Sequence, residues 1–150
     1  MSVHGTLASA ELLPADIRHA LQLNAADSVY TGRYPRQIRQ GVEVWVERLP
    51  VETANGYARL DRHPYRLHVR HGLATMGTDH TGGAALDLVE SHMATLAERY
   101  DGQLKTAETD FLARVPGLIA IQALEEEVDE DPGEGSLLDG TVRVDFMVRS

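Results

Sequence analysis

Seven histidines are the first residues to weigh for chemistry, because imidazole serves both as metal ligand and as general base. His63, His68 and His71 fall in or beside one extended run, with His80 and His92 further along. A strand sends successive side chains to opposite faces, so His68 and His71, three apart, diverge. The helical pairings HExxH and HxxxH are absent,. Asp79 and His80 in TDHTGG offer two ligands and nothing fixes a third,. These spacings predict ordinary surface or interface histidines, with no metal and no cofactor.

Nucleophilic catalysis needs a nucleophile, a base and an orienting group that converge. Ser, His and Asp are all present, but no GxSxG elbow is,. Thr81-Gly82-Gly83 precedes a helix, yet neither GxxxxGK[ST] nor GxGxxG occurs, so the stretch reads as a loop entering a helix,. Cysteine is absent, which removes thiol nucleophiles, Cys-ligated zinc, iron–sulfur clusters and disulfides. The expectation is that the chain has no catalytic residues and is not an enzyme.

The carboxylates are concentrated instead of paired. Residues 125–134 (EEEVDEDPGE) hold seven acids and no base, so removing them from the net charge of −9 leaves −9 + 7 = −2. EF-hand spacing is missing, and the run reads as a solvated acidic hairpin loop over 125–136. Basic residues cluster only in RYPRQIR, with Arg33, Tyr34, Arg36 and Arg39. Arg and Tyr suit nucleic acid but are also enriched in protein interfaces. On an acidic protein the interface reading is favoured over nucleic-acid binding.

The elements that must position these residues follow from periodicity. Leu13, Ile17 and Leu21 predict a helix over about 14–23, with Pro14 at its first turn and Asp16 near its positive end; residues 6–13 form a separate turn or a kinked extension,. Residues 24–40 read as a long connection. VEVWVER at 42–48 alternates as a half-buried strand, and 57–61 and 64–71 are the next extended pieces, separated from it by a turn or loop at 52–56,. Ala85, Leu86, Val89, Met93, Leu96 and Tyr100 mark a helix over about 84–100, stopped by Asp101-Gly102,. A short extended segment at 111–115 and strands at 118–126 and 140–149 complete the chain.

The order predicts one α+β domain over residues 1–150: a mostly antiparallel sheet of about four to five strands with two main helices packed on one face. With 43% hydrophobic and 25% charged residues, a chain of this length can bury roughly 70% of its unfolded surface. No apolar run nears the ~20 residues that span a bilayer, and the first residues lack a basic n-region. The expectation is therefore no signal or transit peptide and a cytoplasmic default. The second face of the sheet would carry Glu43, Glu47, Arg66, Arg70, Arg143, Asp145 and Arg149, with Trp45 and Met147 among them. It is either a solvent face with weak ion pairs or a subunit interface anchored by Trp45.

The succession ADIRHALQL, VEVWVERLP, YRLHVRHG, ALDLVESHMATLAERY and GTVRVDFMVRS resembles the tail terminator and tail-completion proteins of long non-contractile-tailed phages. The likeness is one of element order over roughly residues 12–149, without a diagnostic motif. It implies a virion protein in the tail or neck, assembled in the host cytoplasm. Such a subunit forms a ring, usually a hexamer, that caps the tail tube, ends its polymerisation and meets the head connector or stopper. It implies as partners further copies of itself, the tail tube protein, the connector, and DNA passing the lumen without specific binding. Candidate contact residues are then Arg33, Tyr34, Arg36, Arg39, Trp45, Arg66, Arg70, Arg143 and Arg149. Candidate lumen or rim residues are Glu125, Glu126, Glu127, Asp129, Glu130 and Asp131. Six copies of −9 would give −54 per ring. A head-closure or neck adaptor fits the same pattern. A small α+β hydrolase or ligand-binding domain, or a homodimeric regulator, are the readings from other classes.

Overall fold

In the computed structural model, residues 3–23, 29–31, 41–53, 60–72, 82–105, 110–131 and 137–149 are described. The first helix, α1 (Val3–Leu21), runs unbroken through Pro14, longer than the 14–23 expected. Pro14 forfeits one backbone hydrogen bond, but Leu13, Ile17 and Leu21 lie on one buried line across it, and that packing offsets the loss. Asp16 consequently sits in mid-helix, fully buried, and not at the positive end of a helix. Gln22, at φ 56°, ends α1, and the amide of Leu23 donates to Arg18 O at 2.9 Å.

The expected 24–40 connection contains a strand, β1 (Val29–Thr31), which pairs in parallel with β2 (Gly41–Arg48), Val29 opposite Val44. Part of the expected 52–56 turn is a two-residue strand, β3 (Glu52–Thr53). The two extended pieces anticipated at 57–61 and 64–71 are one strand, β4 (Leu60–Gly72). Pro64 is tolerated inside it because its backbone faces the gap between β2 and β3, where its carbonyl accepts from Leu49 N at 3.0 Å. A missing N–H there breaks no bond to the neighbour on the other side.

The second long helix, α2 (Gly82–Tyr100), stops at Gly102, whose φ of +79° suits only glycine without strain,. Residues 111–115, expected to be extended, instead form a one-turn helix, α3 (Phe111–Arg114), N-capped by the Asp110 side chain, which accepts from Ala113 N at 3.2 Å,. The last strands are β5 (Leu118–Asp131) and β6 (Leu137–Arg149). Here the expectation of an acidic loop over 125–136 is corrected. β5 stays paired with β6 out to Asp131 opposite Leu137, so Glu125 to Asp131 lie on a strand; 132–136 are outside the described residues. Val128 explains the extension: it packs against the core opposite Gly140 and holds the acidic stretch to the sheet.

The fold is α+β: a six-stranded, mostly antiparallel sheet in the order β1-β2-β4-β6-β5, with β3 beside β4 and the two main helices packed on it. Val44, Val46, Tyr65, Leu67, Val69, Val142, Val144, Phe146 and Val148 alternate onto the core face, all buried,. Val89, Met93, Leu96 and Tyr100 of α2 cover them. Edge-to-face rings run from the sheet to the helix layer: Tyr65 to Phe146 at 5.7 Å, Phe146 to Phe111 at 5.3 Å, Phe111 to Tyr100 at 6.1 Å,. The outer edge of β5 is partly covered by the turn after α2. Gly102 N donates to Ile121 O at 2.8 Å, and Ala123 N donates to Asp101 Oδ1 at 3.3 Å. Beyond that turn the edge is lined with carboxylates, a common guard against strand-to-strand aggregation. Among the described residues no helix is long and apolar enough to cross a membrane.

Candidate functional site

Strand alternation places the odd residues of β2 and β6 and the even residues of β4 on the sheet face turned away from the core. Register then decides which of them meet. Trp45 lies opposite His68, Glu47 opposite Arg66 and Glu43 opposite Arg70 across β2 and β4. Across β4 and β6, Arg66 faces Arg143 and Arg70 faces Asp139.

His68 is the centre of this face. Its ring stacks on Trp45 with centroids 4.3 Å apart and planes at 23°. Nε2 lies 2.8 Å from Glu47 Oε1, and Nδ1 lies 3.1 Å from both carboxylate oxygens of Asp139. An ionised carboxylate oxygen only accepts, so both contacts are satisfied together only when both ring nitrogens carry hydrogen, as in the imidazolium,. Burial pulls its pKa down, but the hydrogen bonds and charges of Asp139 and Glu47 outweigh burial and leave it raised,.

Around this centre the charges alternate. Arg66 Nε donates to Glu126 Oε1 at 3.0 Å and its Nη1 lies 4.0 Å from Glu47 Oε1. This brings carboxylates to an arginine that would otherwise face Arg143 with like charge. Arg143 donates to Asp145 Oδ1 at 2.9 Å and to Glu52 Oε2 at 3.1 Å, which raises its pKa, the Asp145 hydrogen bond foremost. Arg62 lies 3.6 Å from Glu52 and 3.8 Å from Asp145. Exposed pairs of this kind each contribute about 0–1 kcal/mol; their consequence is a patterned surface more than stability.

The expected contact residues divide as follows. Arg33, Tyr34, Arg36 and Arg39 lie outside the described residues. Trp45, Arg66, Arg70 and Arg143 do share one face. Trp45 is only 9% exposed, with His68 stacked on its ring. Arg70 is buried and donates to Tyr30 Oη at 2.7 Å. Arg149 is exposed at the end of β6. Glu125, Glu126, Glu127 and Asp129 are exposed along β5; Glu130 and Asp131 belong to the same strand. Leu124, just before them, is 68% exposed.

Two clusters were not legible as such. The first is Glu47, His68 and Asp139: spacing marks His68 only as a surface or interface histidine, and its partners depend on register. The second is Asp16, whose carboxylate accepts from Arg99 Nε and Nη2 and from Tyr100 Oη, all at 2.7 Å. The Asp16 hydrogen bond raises the pKa of Arg99, and burial, followed by the Asp16 charge, raises that of Tyr100 well above its ordinary value. The adjacent Arg99-Tyr100 pair at the end of a helix was the only signal. Among the described residues no group of three or more His, Asp or Glu converges as a metal site. His71 lies on the other side of β4, its Nδ1 2.9 Å from Gly72 O.

No family model matches the chain, and no curated protein matches it. Among solved structures it is similar to a chain of the "Virion of native gene transfer agent (GTA) particle", with a TM-score of 0.46 and 16% identity, covering 93% of this chain and 98% of that one.

Proposed function

We propose that this chain is a non-catalytic structural protein of a phage-like virion, a tail terminator subunit. It assembles with copies of itself into a ring, caps the tail tube, ends its polymerisation and joins the tail to the head connector. The observation that carries the reading is the helix-free sheet face. Among the described residues its charged groups pair with one another in a ladder of alternating charge, which suits a wet subunit contact better than a reaction centre. The order of elements in the sequence supplies the class of assembly. A closed ring needs two complementary patches per subunit; this face and the acidic strand β5 are the surfaces we assign to contacts and to the lumen or rim.

The test is the mass of the purified protein in solution over a range of concentrations, followed by electron microscopy. Six-fold rings support the proposal. A protein that stays monomeric at every concentration and forms no ring on isolated tail tubes overturns it.

A further inference from the structure

We propose that His68 is a protonation-controlled clasp on the helix-free face, tying the acidic half of β5 to the centre of the sheet. Three observations carry it. Both imidazole nitrogens are bonded to carboxylates on different strands, Glu47 of β2 and Asp139 of β6. The charged ring lies flat on Trp45, a geometry that favours a cation over a neutral ring. Asp139 in turn stands directly opposite Asp129 of β5, and directly opposed like charges destabilise a strand pair unless a cation lies beside them.

The groups that face His68 are therefore Glu43, Trp45 and Glu47 from β2, Arg66 and Arg70 from β4, and Asp139 and Arg143 from β6. Tyr30 reaches in from β1 through Arg70, and Asp129 and Glu126 stand on β5. Arg66, Arg70 and Arg143 are already held by Glu126 and Glu47, by Tyr30, and by Asp145 and Glu52. When His68 loses its proton, it loses one of its two donor hydrogens. Either Glu47 or Asp139 then faces a lone pair, and the Asp129–Asp139 step loses one of its compensating charges, leaving Arg70 opposite Asp139 as the other. The register shift between Glu125 and Val128 makes this the place where β5 can part from β6, since the two ends of the strand are already out of step there. The clasp is independent of the ring reading: it concerns one subunit and holds whether or not rings form.

Trp45 is the only tryptophan in the chain, so its emission reports the stack alone. The experiment is a pH titration of tryptophan fluorescence and of the histidine ring resonances in the wild-type chain, His68→Gln, Glu47→Gln and Asp139→Asn. Hydrogen exchange of 126–131 is compared between wild type and His68→Gln at one pH below and one pH above the His68 midpoint. Expected are a midpoint above the ordinary histidine value of 6.5, lowered in each carboxylate variant, and no fluorescence transition in His68→Gln. Exchange in 126–131 should be faster in His68→Gln than in wild type below the midpoint, and equal above it. A His68 midpoint at or below 6.5 overturns the clasp. So does a fluorescence transition that survives in His68→Gln, or exchange in 126–131 that is indifferent to the substitution while the variant remains folded by circular dichroism.

Discussion

Asp16 and Arg99 form a two-pronged ion pair between α1 and α2, with both guanidinium-to-carboxylate distances at 2.7 Å and the partners 83 positions apart in the chain. Asp16 is wholly buried, and Arg99 reaches it from a side chain 19% exposed. A buried pair of this kind is costly to break on one side, because the remaining charge stays desolvated. Asp16→Ala is expected to destabilise the fold by about 3 kcal/mol or more, read by urea denaturation. Arg99→Ala should cost a similar amount, and the double variant less than the sum, because each single change strands the other partner. Additive losses would mean that the two residues do not act as a pair.

Two histidines of β4, His68 on the helix-free face and His63 on the core side, give opposite pH dependence. His68 has a raised pKa in the fold. Its stabilisation is complete below the unfolded value of about 6.5 and disappears as pH rises through the folded pKa. His63 is lowered, burial being the main cause. Its stabilisation is present above about 6.5 and disappears as pH falls through the folded pKa. The melting-temperature gap between wild type and His68→Gln should therefore narrow with rising pH, and the gap for His63→Gln should narrow with falling pH. Parallel trends for the two variants would contradict the assigned environments.

Much of this arrangement was legible from periodicity, and the rest was not for identifiable reasons. The alternations of 42–48 and 140–149, and the stripe from Ala85 to Tyr100, each specify a face locally, so β2, β6 and α2 fall where expected. Pro14 misled, because local chemistry places proline at a helix start while the tertiary burial of Leu13 and Ile17 keeps the helix going on both sides of it. The acidic run misled in the same manner: charge density suggests a loop, but the single apolar residue Val128, packed opposite Gly140, keeps it a strand. The pairing of Trp45 with His68, and of His68 with Asp139, depends on register between strands, which no one segment encodes.

At Gly140 the side chains of Met93 and Val89 from α2 pack directly onto the backbone of β6. A Cβ placed there would overlap the Met93 side chain and come within 2.7 Å of Val89 Cγ1. Met93 and Val89 are both buried, so neither can swing into solvent. Gly140→Ala is expected to cost about 1–3 kcal/mol by overpacking. Met93→Ala alone leaves a cavity, at about 2–5 kcal/mol. Together they should cost less than their sum, the new methyl group occupying vacated space, in a double-mutant cycle read by chemical denaturation. Strict additivity would show that α2 moves away from the sheet instead of Met93 yielding.

The acidic half of β5 allows a charge test of the proposed ring. Glu125, Glu126, Glu127 and Asp129 are exposed along a strand held to the sheet, so their charges have fixed positions, unlike those of a mobile loop. Fixed like charge around a lumen repels phosphate at short range, with a reach of about 8 Å at physiological salt. Substituting Glu125, Glu126, Glu127 and Glu130 with Gln, and Asp129 with Asn, changes the subunit charge from −9 to −9 + 5 = −4. If this strand faces the lumen, particles carrying the variant should eject DNA more slowly, or isolated rings should retain DNA in a gel-shift assay, and added salt should narrow the difference from wild type. The Arg66–Glu126 contact is also lost in this variant, so Glu126→Gln alone serves as the control for a purely local effect. Unchanged ejection together with unchanged DNA retention would place the acidic strand on the outside of the ring, where its charge has no access to the DNA path.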